Sequence, residues 1–237
     1  MSKEYGIENP AASRFEGETS ARTGTSPAPL IAFDFVSLMR LLISLIVWIA
    51  VVAAGFCCLL RYEHSAGQAN EKSNYLPAGT AIHLETNRPT LIMFAHPKCP
   101  CTRASLEELN RILARAPGLA AQIWFFTPTG AQKTWAHSQL WQTAATIPGV
   151  ILHEDWDGTQ SRLFGAETSG AVLVYDTNGK LLFSGGITSA RGHVGDNEGA
   201  SAVLACLTRS GASLSHSEVY GCSLVTKKLT ASEIGLK

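Results

Sequence analysis

Residues 90–109 of the 237-residue chain read TLIMFAHPKCPCTRASLEEL. The apolar run Thr90 to Phe94 is typical of a strand that is covered on both faces of a sheet, and Pro97 ends it. Apolar residues then recur at helical spacing over residues 104–116, up to a Pro-Gly pair. The stretch predicts a buried strand, a turn that carries two cysteines, and a helix.

The sequence on either side of this stretch alternates between strand and helix patterns. An Asn-Gly pair, Asn178-Gly179, separates two apolar runs and predicts a β-hairpin. The order βαβαβ, hairpin, helix predicts an α/β protein with a thioredoxin-like fold, in which helices flank a central mixed sheet. The patterns predict strands at 82–84, 121–126, 150–153, 171–175 and 180–184, and helices at 131–145, 161–164 and 198–209.

An uncharged run of 20 residues, Leu41 to Leu60, lies between Arg40 and Arg61. About 20 apolar residues at ~1.5 Å per residue span a hydrocarbon core of ~30 Å, so the run predicts a transmembrane helix. The composition of the remaining segments completes the predicted division of the chain. It comprises a disordered tail (1–36), the transmembrane helix (37–60), a linker (61–79), a thioredoxin-like domain (80–210) and a C-terminal extension (211–237).

Cys99 and Cys101 carry the predicted chemistry. A cysteine at the first turn of a helix meets unpaired backbone N–H groups and the positive end of the helix dipole, and both favour the reactive thiolate. Lys98 and Arg103 add positive charge nearby. The plainer alternative is a turn with two buried or metal-holding cysteines.

Residues 94–109 resemble the active-site strand, turn and helix of membrane-anchored thiol–disulfide proteins of the thioredoxin superfamily. The resemblance implies a surface nucleophile, Cys99, that forms mixed disulfides with protein thiols or disulfides and needs no cofactor. These relatives carry Cys-x-x-Cys, whereas Thr102 stands at the resolving position here. Either Cys99 acts alone, or it pairs with Cys101 in a small strained ring that favours an oxidant or isomerase over a reductant.

Three later features bear on the same site. Ser169 and Gly170 occupy the corner where thioredoxins place a cis-proline against the substrate peptide, so the resemblance makes them substrate-binding residues. Arg191 and His193, in a glycine-rich loop, either reach toward Cys99 or belong to a solvated loop that caps the last helix. Cys222 either returns as a resolving thiol or stays a free cysteine.

The charge pattern excludes one class of partner and leaves the orientation open. Lys and Arg together number 19, as do Asp and Glu, and they are spread thinly, so no nucleic-acid footprint is present. Basic residues near the two ends of the apolar run nearly balance. By analogy with single-span proteins of this fold, the domain is expected outside the cytoplasm, on the periplasmic side.

Two other functions fit part of the pattern. A copper chaperone of the same fold would hold copper with Cys99, Cys101 and His193, because thiolates and imidazole suit Cu(I). Its resemblance is to thioredoxin-fold proteins that assemble cytochrome oxidase, whose spacing is Cys-x-x-x-Cys. A peroxidase of the peroxiredoxin type would need a Thr where His96 stands.

Overall fold

The structure is a computed structural model that describes residues 34–67, 73–132, 134–208 and 215–224. The chain divides into two compact units, Met1–Val51 and Val52–Lys237. Of the predicted tail (1–36) the structure describes only residues 34–36, and of the predicted extension (211–237) it describes only residues 215–224.

A single long helix opens the described chain. Helix α1, Phe35–Glu63, has 29 residues and buries none of them. At ~1.5 Å per residue it is about 43 Å long, which exceeds a hydrocarbon core of ~30 Å. Within the described residues it is the one helix long and apolar enough to cross a membrane. It begins two residues before the predicted span (37–60) and ends three residues after it.

The rest of the fold is a six-stranded mixed sheet with the order β3-β2-β1-β4-β5-β6. Strands β1, β2 and β3 are parallel, β4 is antiparallel to β1 and β5, and β6 runs parallel to β5. The strands are β1 Thr90–Ala95, β2 Ala120–Thr127, β3 Val150–Trp156, β4 Ala171–Tyr175, β5 Leu181–Gly185 and β6 Ser215–His216. The remaining helices are α2 Thr102–Arg115, α3 Gln139–Ala145, α4 Thr159–Leu163 and α5 Glu198–Thr208.

Strand β1 lies at the centre of the sheet and divides two hydrophobic cores. Successive side chains of a strand point to opposite faces, so Leu91 and Met93 enter one core while Ile92 and Phe94 enter the other. Helices α2, α3 and α5 supply the first core, and Phe164 supplies the second. A strand with both faces buried must be apolar throughout, which is why the sequence shows no alternation there. The predicted thioredoxin-like fold is confirmed.

Local differences from the predicted elements have identifiable causes. Residues 82–84 are not a strand, although Ile82 is buried. The helix predicted over 131–145 shrinks to α3, because Ser138 caps its N-terminus by accepting a hydrogen bond from the Trp141 backbone N–H. Residues 215–224, predicted to lie beyond the domain, instead add β6 and insert Leu224 into the second core.

The described residues of the predicted linker also form hydrogen bonds with the domain. The Gly67 N–H donates to the Val219 carbonyl over 2.8 Å, and Tyr75 forms a β-bridge with Lys180. The chain on both sides of the undescribed residues 68–72 therefore hydrogen-bonds to the sheet region.

Candidate functional site: three thiols at the end of the central strand

The cysteine turn joins the end of β1 to the start of α2. The Cys99 N–H donates to the His96 carbonyl, and the Thr102 N–H donates to the Cys99 carbonyl, each over 3.1 Å. Pro97 and Pro100 have no N–H to satisfy, so the turn needs few partners at these positions. Helix α2 begins at Thr102, two residues before the predicted spacing, and Cys101 is its N-cap residue, so both cysteines precede the first turn in which the sequence placed them.

A third cysteine completes the site. The Sγ atoms of Cys99, Cys101 and Cys222 all lie within 4.8 Å of one another. Cys99 is only 1% exposed, whereas Cys101 and Cys222 are partly exposed. The structure thus supports the option that Cys222 reaches back to the turn. It does not support a surface position for Cys99, since the two other cysteines lie against it.

The three thiols differ in acidity. Burial alone would raise the pKa of Cys99, but hydrogen bonds from Cys222 and Thr102, through both side chains and backbone N–H groups, outweigh it and lower that pKa. Burial, together with the Cys99 charge, raises the pKa of Cys101. Burial, the hydrogen bond with the Cys99 thiol and the Cys99 charge raise the pKa of Cys222 to about 12. Cys99 is therefore the most acidic thiol of the cluster.

Cys222 is held in place by its own segment, residues 219–224. The Ser169 N–H donates to the Cys222 carbonyl and the Leu224 N–H donates to the Glu167 carbonyl, each over 2.8 Å. A Cβ on Gly221 would collide with the Ser169 carbonyl oxygen, so glycine permits the close approach of the two chains. This contact places the next residue, Cys222, beside the turn.

The corner Ser169-Gly170 lies beside the turn, where the resemblance places it. The Ser169 hydroxyl accepts a hydrogen bond from the His96 N–H and lies 2.8 Å from the Thr102 hydroxyl. Because the Thr102 hydroxyl donates to Cys99, the Ser169 hydroxyl is left to donate to Thr102. Gly170 has a φ of +93°, which favours glycine, and its N–H donates to the Phe94 carbonyl over 2.8 Å. Ser169 is 1% exposed, so its hydroxyl serves these internal bonds.

Of the two candidate residues in the glycine-rich loop, Arg191 reaches the thiols and His193 does not join them. The Arg191 guanidinium donates to the Gly221 carbonyl, and its charge acts on Cys101 and Cys222, where it opposes the rise in their pKa values. The His193 Nε2 instead lies 3.7 Å from a Glu63 carboxylate oxygen and is half exposed. The copper ligand set Cys99, Cys101 and His193 is therefore not assembled, and the sulfur that lies beside the two cysteines of the turn is that of Cys222.

Asn197 in the loop and Lys98 in the turn have other roles. Asn197 Oδ1 accepts a hydrogen bond from the Ala200 N–H over 2.8 Å and so caps α5, as the plainer interpretation of this loop predicts. The Lys98 ammonium lies 4.6 Å from the centre of the Trp135 ring. The predicted support of the Cys99 thiolate by Lys98 is replaced by hydrogen bonds from Thr102 and Cys222. Burial, and then the Lys98 charge, lowers the pKa of His96.

The sequence left the role of Cys222 open because no motif surrounds it. The only local signal is Gly221, directly before it, which is a residue type that often marks a close backbone approach. Burial of Cys99 had no local signal, since it depends on the return of residues 219–224.

Comparison with solved structures finds similar proteins at low sequence identity. A hypothetical protein, SMc02350 from Sinorhizobium meliloti 1021, is 18% identical with a TM-score of 0.50, and the match covers 69% of this chain and 96% of that one. An uncharacterized conserved protein from Geobacillus kaustophilus is 14% identical, with a TM-score of 0.46 and coverages of 70% and 94%. A putative thiol:disulfide interchange protein DsbE from Chlorobium tepidum is 21% identical, with a TM-score of 0.38 and coverages of 60% and 98%.

These similarities concern the fold. No protein-family model matches the chain, and no curated protein matches its sequence. The fold and site together define a thioredoxin-like domain with a cysteine cluster at the end of its central strand.

Proposed function

We propose that this protein carries out thiol–disulfide exchange through Cys99 and Cys101 and acts mainly as an oxidant of protein thiols. The observation that carries the proposal is the mutual approach of the Cys99, Cys101 and Cys222 Sγ atoms to within 4.8 Å, and hydrogen bonds from Cys222 and Thr102 lower the pKa of Cys99 within that group. Disulfide exchange needs a stable thiolate next to a second sulfur, and no cofactor. The same arrangement supports the strained Cys-x-Cys pair that the sequence suggests.

The burial of Cys99 decides which sulfur meets the substrate. In the oxidised protein a disulfide joins Cys99 to Cys101, and a substrate thiolate attacks Sγ of the more exposed Cys101. The Cys99–Cys101 bond breaks, and Cys99 leaves as the thiolate that Thr102 and Cys222 stabilise. A thiol of lower pKa leaves faster, so the buried position favours this role over attack on a bulky disulfide.

The second half of the reaction releases the product. A second substrate thiolate attacks the sulfur that the substrate has bound to Cys101. A substrate disulfide forms, and Cys101 leaves and takes up a proton. The substrate has then lost two electrons and the protein has gained them. A disulfide of another protein must accept these electrons before the next cycle.

The proposed direction follows from the stability of the reduced form. Hydrogen bonds that stabilise the Cys99 thiolate exist only when the disulfide is broken, so they raise the reduction potential of the pair. Ring strain in a Cys-x-Cys disulfide acts in the same direction. We therefore propose protein thiols as the principal substrates.

The test is a redox titration of the full chain in detergent micelles. The protein is equilibrated with glutathione buffers, quenched with an alkylating reagent, and its cysteine pairs are mapped by mass spectrometry. We expect a Cys99–Cys101 disulfide with a potential above the ~−270 mV of thioredoxin. Cys206→Ala, which removes a buried cysteine outside the cluster, is the matched control and should leave the potential unchanged. A potential below that of thioredoxin, or no pair that includes Cys99, would contradict the proposal.

We further propose that α1 anchors the protein as a single membrane span with the domain outside the cytoplasm. An uncharged run bounded by Arg40 and Arg61 supports the span. An oxidant of protein thiols works in an oxidising compartment, which supports the orientation.

A further inference from the structure

We propose that Cys99, Cys101 and Cys222 together form a binding site for one Cu(I) ion, held by three thiolates. This inference goes beyond disulfide exchange and does not depend on it. It also differs from the copper site that the sequence suggests, because Cys222 replaces His193. The mutual approach of the three sulfurs carries it.

The spacing of the sulfurs suits a three-coordinate metal. With metal–sulfur bonds of ~2.3 Å, a trigonal site separates its sulfurs by about 4 Å. The three Sγ atoms already lie within 4.8 Å of one another, so side-chain movements below about 1 Å would close the site. In the described part of the chain, no fourth Cys, His, Asp or Glu ligand atom joins this group. Structural zinc sites need four such ligands, whereas soft thiolates select Cu(I).

The surroundings compensate the charge that the site would carry. Cys99 is the most acidic of the three thiols, and metal binding would release the thiol protons that remain on the cluster. Three thiolates with Cu(I) leave a net charge of −2. The positive charge of the Arg191 guanidinium acts on Cys101 and on Cys222. Its buried Nε has no hydrogen-bond partner among the described residues.

The sulfurs are positioned before any metal arrives. The hydrogen-bonded turn between β1 and α2 places Cys99 and Cys101, and backbone hydrogen bonds from Ser169 and Leu224 fix the segment around Cys222. Because Cys99 is 1% exposed, the site would shield the ion from solvent on one side and leave it open beside Cys101 and Cys222. An ion held in this way could pass to another soft-ligand protein.

The experiment is a Cu(I) titration of the reduced full chain in detergent micelles against the chromophoric chelator bathocuproine disulfonate. Cys57 and Cys58 are exposed neighbours on α1, so both are replaced by Ala in every sample to remove a competing pair. We expect one Cu(I) per chain, and a loss of at least ~10-fold in affinity in Cys101→Ala and in Cys222→Ala. His193→Ala and Cys206→Ala are the matched controls and should bind as the parent does.

X-ray absorption on the parent protein tests the site without further substitution in the cluster. We expect three sulfur ligands at ~2.3 Å from copper. Circular dichroism of each metal-free variant shows whether a lost affinity reflects lost folding. Two sulfur ligands in the parent, undiminished affinity in Cys222→Ala, or displacement of Cu(I) by Zn²⁺ would overturn the proposal. None of these results depends on whether the protein exchanges disulfides.

Discussion

Cys99 combines two properties that a single residue rarely shows, an almost complete burial and a lowered pKa. Burial penalises a charge, so the thiolate persists only because it accepts hydrogen bonds from Thr102 and Cys222. At Cys206 one backbone hydrogen bond does not offset burial in α5, which raises the pKa of this thiol to about 11. The pKa values of the two cysteines are therefore shifted in opposite directions.

The thiolate absorbance of the reduced protein should reveal this difference. Cys99→Ala should remove the absorbance step that titrates below the ordinary cysteine pKa, whereas Cys206→Ala should retain it. A lowered folded pKa stabilises the protein above the unfolded value of ~8.5, and that contribution is lost as pH falls through the folded pKa. Urea unfolding of the parent and of Cys99→Ala should therefore differ more at pH 8.5 than at pH 6. An unchanged step in Cys99→Ala would show that another thiol is the anion.

At the scale of elements, the strand–turn–helix unit was predictable and the segment that completes the site was not. The buried strand β1 and helix α2 follow from the apolar spacing of residues 90–116, because both elements owe their stability to faces that the sequence displays. Strand β6 has two residues and, among the described strands, pairs with β5 alone, so it is too short to show a periodic pattern in the sequence. Residues 219–224 follow it and owe their position to hydrogen bonds with the chain before β4.

The substitution Gly221→Ala tests whether the close approach at Gly221 holds residues 219–224 in position. The added methyl group would meet the Ser169 carbonyl, and overpacking of this kind costs ~1–3 kcal/mol of unfolding free energy. Gly118→Ala is the matched control, because its Cβ would meet nothing within 4 Å, and we expect a change within about ±0.5 kcal/mol. Urea denaturation measures both. Gly221→Ala should also raise the Cys99 pKa, since Cys222 would no longer donate to it. Equal stability of the two variants would mean that the contact is loose.

The C-terminal end of α1 also contacts the loop of Arg191. The Arg191 N–H donates to the Glu63 carbonyl over 3.1 Å, and its guanidinium lies 4.9 Å from the centre of the Tyr62 ring. Arg191 therefore joins the end of this helix to the segment that carries Cys222. The sequence suggested a flexible linker after residue 60, because its composition there is polar and small, whereas these contacts order the chain through Gly67.

At the scale of the whole molecule, the proposed topology can be tested directly. A reporter enzyme that is active only outside the cytoplasm, fused after Lys237, should give signal if α1 spans the membrane once and the domain lies outside. The matched control replaces Val47 and Ile49, both exposed on α1, with Lys, which should prevent insertion at a cost of ~2.5–3.5 kcal/mol each. A silent fusion in the unsubstituted protein, together with signal from a cytoplasmic reporter, would show that the domain lies in the cytoplasm and would contradict the proposed orientation.

The sequence by itself determined the apolar helix, the thioredoxin-like fold and the turn that holds Cys99 and Cys101. Each of these rests on local periodicity or on residues that are neighbours in the chain. Only the tertiary structure decided that Cys222 is the third thiol, that Arg191 rather than His193 lies beside it, and that Cys99 is buried. These three outcomes depend on contacts between distant parts of the chain, where backbone hydrogen bonds and the absence of a side chain at Gly221 set the approach.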